Sequence, residues 1–87
     1  MLKSFKYNSR GEVKTRTVFV LRENSSYLEG LDFAYLTEQE RSEVQEKLKD
    51  LKVEDIPPRG TKSQPIDGYD PSWNKAWRCF KKVSFVN

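Results

Sequence analysis

Apolar and polar residues alternate with a period of two along the first third of the chain, which is the pattern of half-buried β-strands. The alternation is clearest over 13–22, where one face would carry Val13, Thr15, Thr17, Phe19 and Leu21. It predicts three strands at about 2–7, 13–22 and 26–33, separated by turns at 8–11 and 24–26. An antiparallel three-strand meander follows from this spacing.

The period then changes to that of an amphipathic helix. Thr37 and Glu40 have the spacing of a capping box, and Val44, Leu48 and Leu51 recur at i, i+4 and i+7. These signals predict a helix at about 38–52. Because its apolar stripe is narrow and its remaining positions are charged, we expect it to lie as a lid over one end of the sheet.

The segment 54–74 is rich in residues that interrupt regular structure, namely Pro57, Pro58, Gly60, Pro65, Gly68 and Pro71. It is predicted to be a long loop, part of which packs through Trp73. The last segment, at about 75–86, is apolar on both faces. That pattern predicts a final strand that is central or bulged and that closes a barrel.

Together these elements predict one domain over 1–87, mostly β within the α+β class. The expected fold is a small SH3-like or Sm-like antiparallel barrel with one inserted helix and a long Pro/Gly-rich loop. The 87 residues, 36% of them hydrophobic, suffice for one modest core. A cytoplasmic protein without membrane association is expected, because the sequence has no long apolar run or signal peptide and only one cysteine.

The net charge of +3 conceals a division into three blocks. Residues 1–22 contain six Lys and Arg against one acid, 23–56 contain ten acids against four bases, and 57–87 contain six bases against two acids. If the first and last blocks meet in space, the domain has a basic face and an acidic face. Such a charge distribution suits a polyanion on one side and a basic partner on the other.

Cations and aromatic rings are interleaved near the C-terminus, in the order Lys75, Trp77, Arg78, Phe80, Lys81, Lys82 and Phe85. This pattern is typical of surfaces that bind single-stranded nucleic acid, where rings stack on bases and cations neutralise phosphates. It is also ordinary for the last strand of a small barrel, with its rings in the core and its cations solvated, and the pattern taken alone favours this second interpretation.

The sequence offers little for catalysis. There is no histidine, which excludes the commonest general base and histidine-based zinc sites, and Cys79 alone cannot form a thiolate metal site. Asp67 and Asp70 are interpreted as turn residues rather than cation ligands. We therefore expect no enzymatic activity, no catalytic residues, no metal site and no cofactor.

Several short segments carry a recognisable strand pattern, and their defining residues are Phe5, Tyr7, Gly11, Arg16, Val18, Val20, Tyr27, Gly30, Asp32, Trp77, Arg78 and Phe80. This pattern resembles that of WYL-type domains, which are small SH3-like or Sm-like barrels thought to bind nucleic acid or nucleotides. The chain departs from that family at Ser26, where the first residue of the Trp-Tyr-Leu motif would fall. The family's ligand residues therefore carry over only to Tyr27, Arg78 and Phe80.

A chain of this size, with a charged helix after its third strand, is also similar to the small SH3-barrel accessory proteins of T-even-type bacteriophages. That resemblance implies host takeover or counter-defence in the host cytoplasm. One such role is inhibition of a ribonuclease toxin through contacts with RNA and protein.

The residues and the resemblance lead to one hypothesis, a non-enzymatic protein that binds RNA in preference to single-stranded DNA, with little sequence preference. Its basic face would be formed by the first two strands and the last. The residues expected to contact phosphates are Lys14, Arg16, Arg22, Arg78, Lys81 and Lys82, extended by Lys3, Lys6 and Arg10. Tyr7 or Trp77 would stack on a base if its ring is exposed, and would otherwise belong to the core.

The alternative hypothesis is a protein-binding inhibitor that works without nucleic acid. In this interpretation an edge strand or the acidic helix docks on a host defence or regulatory protein, the helix through Glu38, Glu43, Glu46 and Asp50. A third hypothesis is an assembly protein that forms homo-oligomers through its edge strands.

Overall fold

The structure, a computed structural model, describes residues 1–50, 52, 54 and 71–87. Its strands are β1 (Leu2–Ser9), β2 (Glu12–Glu23), β3 (Tyr27–Asp32), β4 (Trp77–Lys81) and β5 (Phe85–Val86). Its helices are α1 (Glu38–Lys49) and α2 (Pro71–Ala76), with single 3₁₀ turns at Phe33–Tyr35 and Lys82–Ser84. Within these described residues, no helix is long and apolar enough to cross a membrane.

The five strands form one antiparallel sheet in the order β4-β3-β2-β1-β5. The prediction of a mostly β fold with an antiparallel sheet and one inserted helix is confirmed. The predicted closure into a barrel is not found, because in the described part of the chain β4 and β5 stand at opposite ends of this order with no ladder between them.

The β1–β2 hairpin turns through two residues, Arg10 and Gly11, between Ser9 and Glu12. Their φ angles are +55° and +79°, so both central residues are left-handed, as a type I′ turn requires. The twist of such a turn matches the twist of the strands that it joins, which lets the ladder run from Leu2–Phe19 to Ser9–Glu12 without interruption. Both strands are consequently longer than the sequence predicts.

β2 and β3 approach each other closely at Gly30, which pairs with Val20. A Cβ atom at Gly30 would overlap the carbonyl oxygen of Phe19 and Cγ1 of Val18. Immediately beyond this point the register shifts between Val20 and Arg22, which marks a bulge.

Both faces of the sheet are covered by apolar side chains. The helix-side core lies between the sheet and the helices and contains Phe19, Leu21, Leu31, Leu36, Val44, Trp73, Ala76 and Trp77. The ring-side core lies on the opposite face and consists of Val18, Leu28 and Phe80, against which Phe5, Tyr7, Val20 and Phe85 pack. Burial on both faces explains why β4 is apolar on both sides.

Helix α1 begins where the sequence predicts. Thr37 Oγ1 accepts a hydrogen bond from the backbone N–H of Glu40 at 3.2 Å, and Glu40 Oε1 accepts one from the N–H of Thr37 at 2.9 Å. The capping box is therefore confirmed. The regular helix ends at Lys49, earlier than the predicted 52.

The prediction of one strand over 75–86 is wrong. Residues up to Ala76 belong to α2, and the rest is divided into β4, a 3₁₀ turn and β5. The turn carries the chain from β4 to the far edge of the sheet, where Phe85 pairs with Tyr7 of β1. The loop predicted for 54–74 lies largely outside the described residues, but its end is helical and Trp73 is buried.

Candidate nucleic-acid interface

The β1–β2 hairpin extends beyond both cores. Residues 8–15 are all exposed, whereas the opposite end of β2 is largely buried. Between Lys6 and Arg16 the hairpin carries four cations and a single acid, Glu12. This two-stranded projection is therefore the most basic surface that the described elements form.

One face of the hairpin contains a polar groove of about 250 Å³ lined by Tyr7, Ser9, Arg10, Glu12, Lys14 and Arg16. Tyr7 pairs with Lys14 and Phe5 pairs with Arg16, so both cations lie on the ring-side face of the sheet. The type I′ turn places Arg10 at the end of the groove. Three cations and one carboxylate, that of Glu12, thus border a space that could hold an anionic group.

Lys6 lies on the reverse face of the hairpin, because it stands between Phe5 and Tyr7 along β1 and successive side chains alternate. Lys6 and Arg10 form no ion pair with any residue that the structure describes. Lys14 Nζ is 3.6 Å from Glu12 Oε1, but both side chains are more than half exposed, so this pair is weak. These three cations are available to a ligand.

Arg16 has a structural partner as well as a place in the groove. Its Nη1 lies 3.5 Å from Oδ2 of Asp32, a carboxylate with only 2% of its side chain exposed. Asp32 Oδ1 also accepts a hydrogen bond from the N–H of Ala34 at 2.9 Å, which caps the first 3₁₀ turn. Asp32 therefore fixes Arg16 at the inner end of the groove, a contact that strand periodicity gave no means of predicting.

Lys3 and Lys82, both predicted to contact phosphates, are instead held together by one carboxylate. Glu23 Oε2 accepts hydrogen bonds from Lys82 Nζ at 2.6 Å and from Lys3 Nζ at 3.1 Å. These hydrogen bonds hold the pKa of Glu23 below its ordinary value of 4.5, and the bond from Lys82 has the larger effect. The ion-paired cluster ties β1, β2 and the second 3₁₀ turn together.

Arg78 is half-buried and also occupied. Its Nη1 donates a hydrogen bond to the carbonyl oxygen of Trp77 at 2.9 Å, and its guanidinium lies 4.2 Å from the centre of the Tyr35 ring. Arg22 lies beyond the bulge, opposite Glu29 in the β2–β3 ladder. It lines a different surface hollow, which Tyr27 also lines. Neither arginine joins the hairpin groove.

Of the two alternatives kept for Trp77, stacking on a base or burial in the core, the structure shows burial. Its side chain is fully buried in the helix-side core, and Nε1 donates a hydrogen bond to Glu29 Oε1 at 2.7 Å. Lys81 is exposed, but it lies in the edge strand β4, opposite Tyr27 of β3 and away from the hairpin. The single basic face predicted from the sequence is thus divided, and only Tyr7, Arg10, Lys14 and Arg16 of the predicted residues share one groove.

Tyr7 is half-buried at the floor of this groove. Its ring makes edge-to-face contacts with Phe80 at 5.2 Å, Phe85 at 5.9 Å and Phe5 at 6.4 Å between centroids. Phe5 in turn stacks on Phe85 at 4.4 Å. We call these four rings the ring cluster. The cluster fixes the orientation of Tyr7 and leaves it little freedom to move toward a ligand.

The four acidic residues predicted to form a docking surface on α1, Glu38, Glu43, Glu46 and Asp50, are all exposed. Two of them have local partners, since Gln39 donates to Glu43 at 3.3 Å and Lys49 donates to Glu46 at 3.0 Å. Glu40, by contrast, is tied to α2 by Lys75 Nζ at 2.9 Å. The backbone hydrogen bond with Thr37 and the pair with Lys75 lower the pKa of Glu40.

Cys79 is exposed, and desolvation, reinforced by the negative charge of Glu29, raises the pKa of its thiol. A thiol in that state is mostly protonated at neutral pH and is a weak nucleophile. Among the described residues no three His, Cys, Asp or Glu side chains are grouped so as to hold a metal ion. The candidate Asp67 and Asp70 lie outside those residues.

Comparisons with protein-family models, with curated proteins and with solved structures gave no match to this chain. The geometry of the groove and the charge around it are therefore the basis on which a function is assigned.

Proposed function

We propose that this chain is a non-enzymatic RNA-binding protein that holds the phosphate backbone with its β1–β2 hairpin. The observation that carries the proposal is the convergence of Arg10, Lys14 and Arg16 on one groove, with Lys6 exposed on the reverse face. Cations placed in this way bind phosphates without reading sequence, so little sequence preference is expected.

Two finer points belong to the same proposal. We propose an SH3-like arrangement, which is supported by the 3₁₀ turn between β4 and β5 and by the pairing of β5 with β1. We also propose host takeover or counter-defence by a bacteriophage, for example inhibition of a ribonuclease toxin. That setting rests on the resemblance to T-even-type accessory proteins.

Fluorescence anisotropy with labelled RNA, both single-stranded and duplex, at several salt concentrations tests the proposal. The logarithm of the affinity should fall linearly with the logarithm of the salt concentration, because each phosphate contact releases counterions. The double variant Lys6→Gln/Lys14→Gln should reduce the slope by about 1 for each lysine removed. Both side chains are exposed, so the fold should be unaffected.

The matched control is Lys47→Gln/Lys49→Gln, which removes the same charge from α1, where both lysines are exposed. Its RNA affinity should stay within about twofold of the original protein. Absence of binding to every RNA at low salt would refute RNA binding. An equal loss of affinity in both double variants would show an effect of net charge and would refute the hairpin as the site.

A second candidate, the protein-binding inhibitor, is favoured by one observation, the exposed acidic surface of α1. Glu43 and Glu46 lie on its exposed side, while Val44 on the opposite side is buried in the helix-side core. The variant Glu43→Lys/Glu46→Lys separates the two candidates. It should retain RNA binding if the hairpin is the site, and it should abolish partner binding if α1 is the docking surface.

A further inference from the structure

We propose that the ligand of the hairpin is double-stranded RNA, gripped across its minor groove with the side chain of Arg10 inside that groove. The inference rests on the proposed RNA-binding function and specifies the class of RNA. Four observations carry it: where the aromatic rings lie, how the hairpin cations are arranged, the backbone conformation of Arg10, and the position of Glu12 beside the turn.

The aromatic rings are placed badly for single-stranded RNA. Proteins that bind single strands stack successive bases on exposed rings. Here Trp77 is fully buried, and the four members of the ring cluster pack against one another. Tyr35 is 43% exposed, but Arg78 occupies one face of its ring. Tyr27 is exposed to the same extent but lies beyond the opposite end of the 12-residue strand β2, roughly 35 Å along the strand from the hairpin tip.

Among the aromatic residues that the structure describes, only Tyr7 remains near the hairpin cations, and it is half-buried and held at its edges by three other rings. One immobilised ring cannot form a platform for successive bases. The site is consequently built for phosphates, whose positions are fixed in a duplex and variable in a single strand.

The hairpin cations are arranged to enter a groove of a nucleic-acid duplex, which has a row of phosphates on each side. Lys14 and Arg16 lie on the ring-side face, and Lys6 lies on the reverse face. A two-stranded ribbon inserted end-on would direct these opposite faces to the two phosphate rows that border a groove. Arg10, in the turn at the tip, borders the hairpin groove on the ring-side face and would extend from there into the groove of the duplex.

Arg10 occupies a backbone conformation that arginine seldom adopts. Its φ of +55° lies in the left-handed region, where glycine, asparagine and aspartate are favoured and other side chains are disfavoured. Asparagine at this position would form the same turn with less strain. An unfavourable residue at an exposed turn points to a function for its side chain.

The position of Glu12 favours binding in a shallow groove of the nucleic acid over binding in a deep one. It follows the turn directly and is exposed, with a side-chain accessibility of 69%. Entry to the full depth of the DNA major groove, about 8.5 Å, would carry this carboxylate between the phosphate rows, since a strand rises only about 3.4 Å per residue. The minor groove of duplex RNA is wide and shallow and displays 2′-hydroxyl groups, so the tip alone can enter it.

The test compares three labelled probes of the same sequence: duplex RNA, single-stranded RNA and duplex DNA, each about 20 nucleotides long so that it exceeds the roughly 16 base pairs a small duplex-RNA domain spans. Anisotropy is measured with the full chain and with Arg10→Asn. We expect duplex RNA to bind about tenfold more tightly than the other two probes, and Arg10→Asn to weaken duplex RNA binding about tenfold.

Thermal unfolding of the same variants separates function from folding. Arg10→Asn should unfold at the same temperature as the original chain or a higher one, because asparagine suits the turn. Lys47→Gln is the matched single-charge control on α1 and should leave duplex RNA affinity within about twofold.

Equal or tighter binding of single-stranded RNA would overturn the inference and leave the proposed RNA-binding function standing. Equal binding of duplex DNA, or an Arg10→Asn variant with undiminished duplex RNA affinity, would also overturn the inference. Failure to bind either RNA would refute the proposed function itself.

Discussion

Removal of the Asp32 carboxylate should destabilise the protein more than any substitution at an exposed charge. Asp32 is 1% exposed, lies 3.5 Å from Arg16 and caps the first 3₁₀ turn through Ala34. Asp32→Ala loses the cap, worth about 1 kcal/mol, and leaves the half-buried Arg16 without its counter-ion, which costs about 1–3 kcal/mol more. The sum is roughly 3 kcal/mol.

Asp32→Asn distinguishes the two contributions. Its amide oxygen can still accept the hydrogen bond from Ala34, so only the loss of the charge opposite Arg16 should appear, about 1–2 kcal/mol. Because Arg16 is still 22% exposed, water partly compensates its charge, and the larger cost of a fully buried broken pair does not apply.

Urea unfolding at neutral pH measures these differences, and a double-mutant cycle with Arg16→Gln isolates the interaction between the two side chains. The coupling free energy should be about 1 kcal/mol, since residues in contact typically couple by 0.5–3 kcal/mol. For a domain of this size, Asp32→Ala should lower the melting temperature by roughly 12–24 °C. A coupling indistinguishable from zero would refute the ion pair as a determinant of stability.

Two further predictions concern the sheet. The folded-state pKa of Glu23 lies below its ordinary value of 4.5 because Lys82 and Lys3 donate hydrogen bonds to its carboxylate. Its contribution to stability is therefore complete above about pH 4.5 and is lost as the pH falls through the folded-state pKa. Glu23→Gln should flatten the acid side of a stability profile measured by urea unfolding, and an unchanged profile would contradict a stabilising role for the Lys3–Glu23–Lys82 cluster. Gly30→Ala should destabilise the fold by about 2 kcal/mol or more, because the added Cβ would overlap the carbonyl oxygen of Phe19. Thermal unfolding measures the change in stability. A variant as stable as the original would show that β2 and β3 can separate at no cost in free energy.

Local sequence patterns predicted much of the secondary structure. A period of two located β1, β2 and β3, and the capping box located the start of α1. These signals act between residues close in sequence, through side-chain alternation and the hydrogen bonds of a helix end. The turn at Arg10 and Gly11 was likewise signalled by its glycine.

The segment 75–86 shows where such patterns fail. Its apolar residues fill both faces, which periodicity alone cannot distinguish from a long buried strand. Tertiary packing divides it, because Trp77 belongs to the helix-side core while Phe80 and Phe85 belong to the ring-side core. The 3₁₀ turn that separates β4 from β5 is a consequence of the chain crossing to the other edge of the sheet.

The candidate site was only partly predictable for the same reason. The sequence located the cations of the hairpin, since Arg10, Lys14 and Arg16 lie within seven residues of one another along the chain. For the other predicted cations, contacts with residues distant in sequence determine whether the side chain already has a partner. Glu23 meets Lys82 across 59 residues, so Lys82 already has an ion-pair partner that no local pattern indicated.

The sequence by itself therefore determined the strands of the meander, the start of α1 and the concentration of positive charge in the hairpin. The tertiary structure alone decided which cations are free, which rings are buried and which residues share a groove. The physical reason is that periodicity and turn chemistry act over a few residues, whereas ion pairing and burial depend on which distant segments the fold brings together.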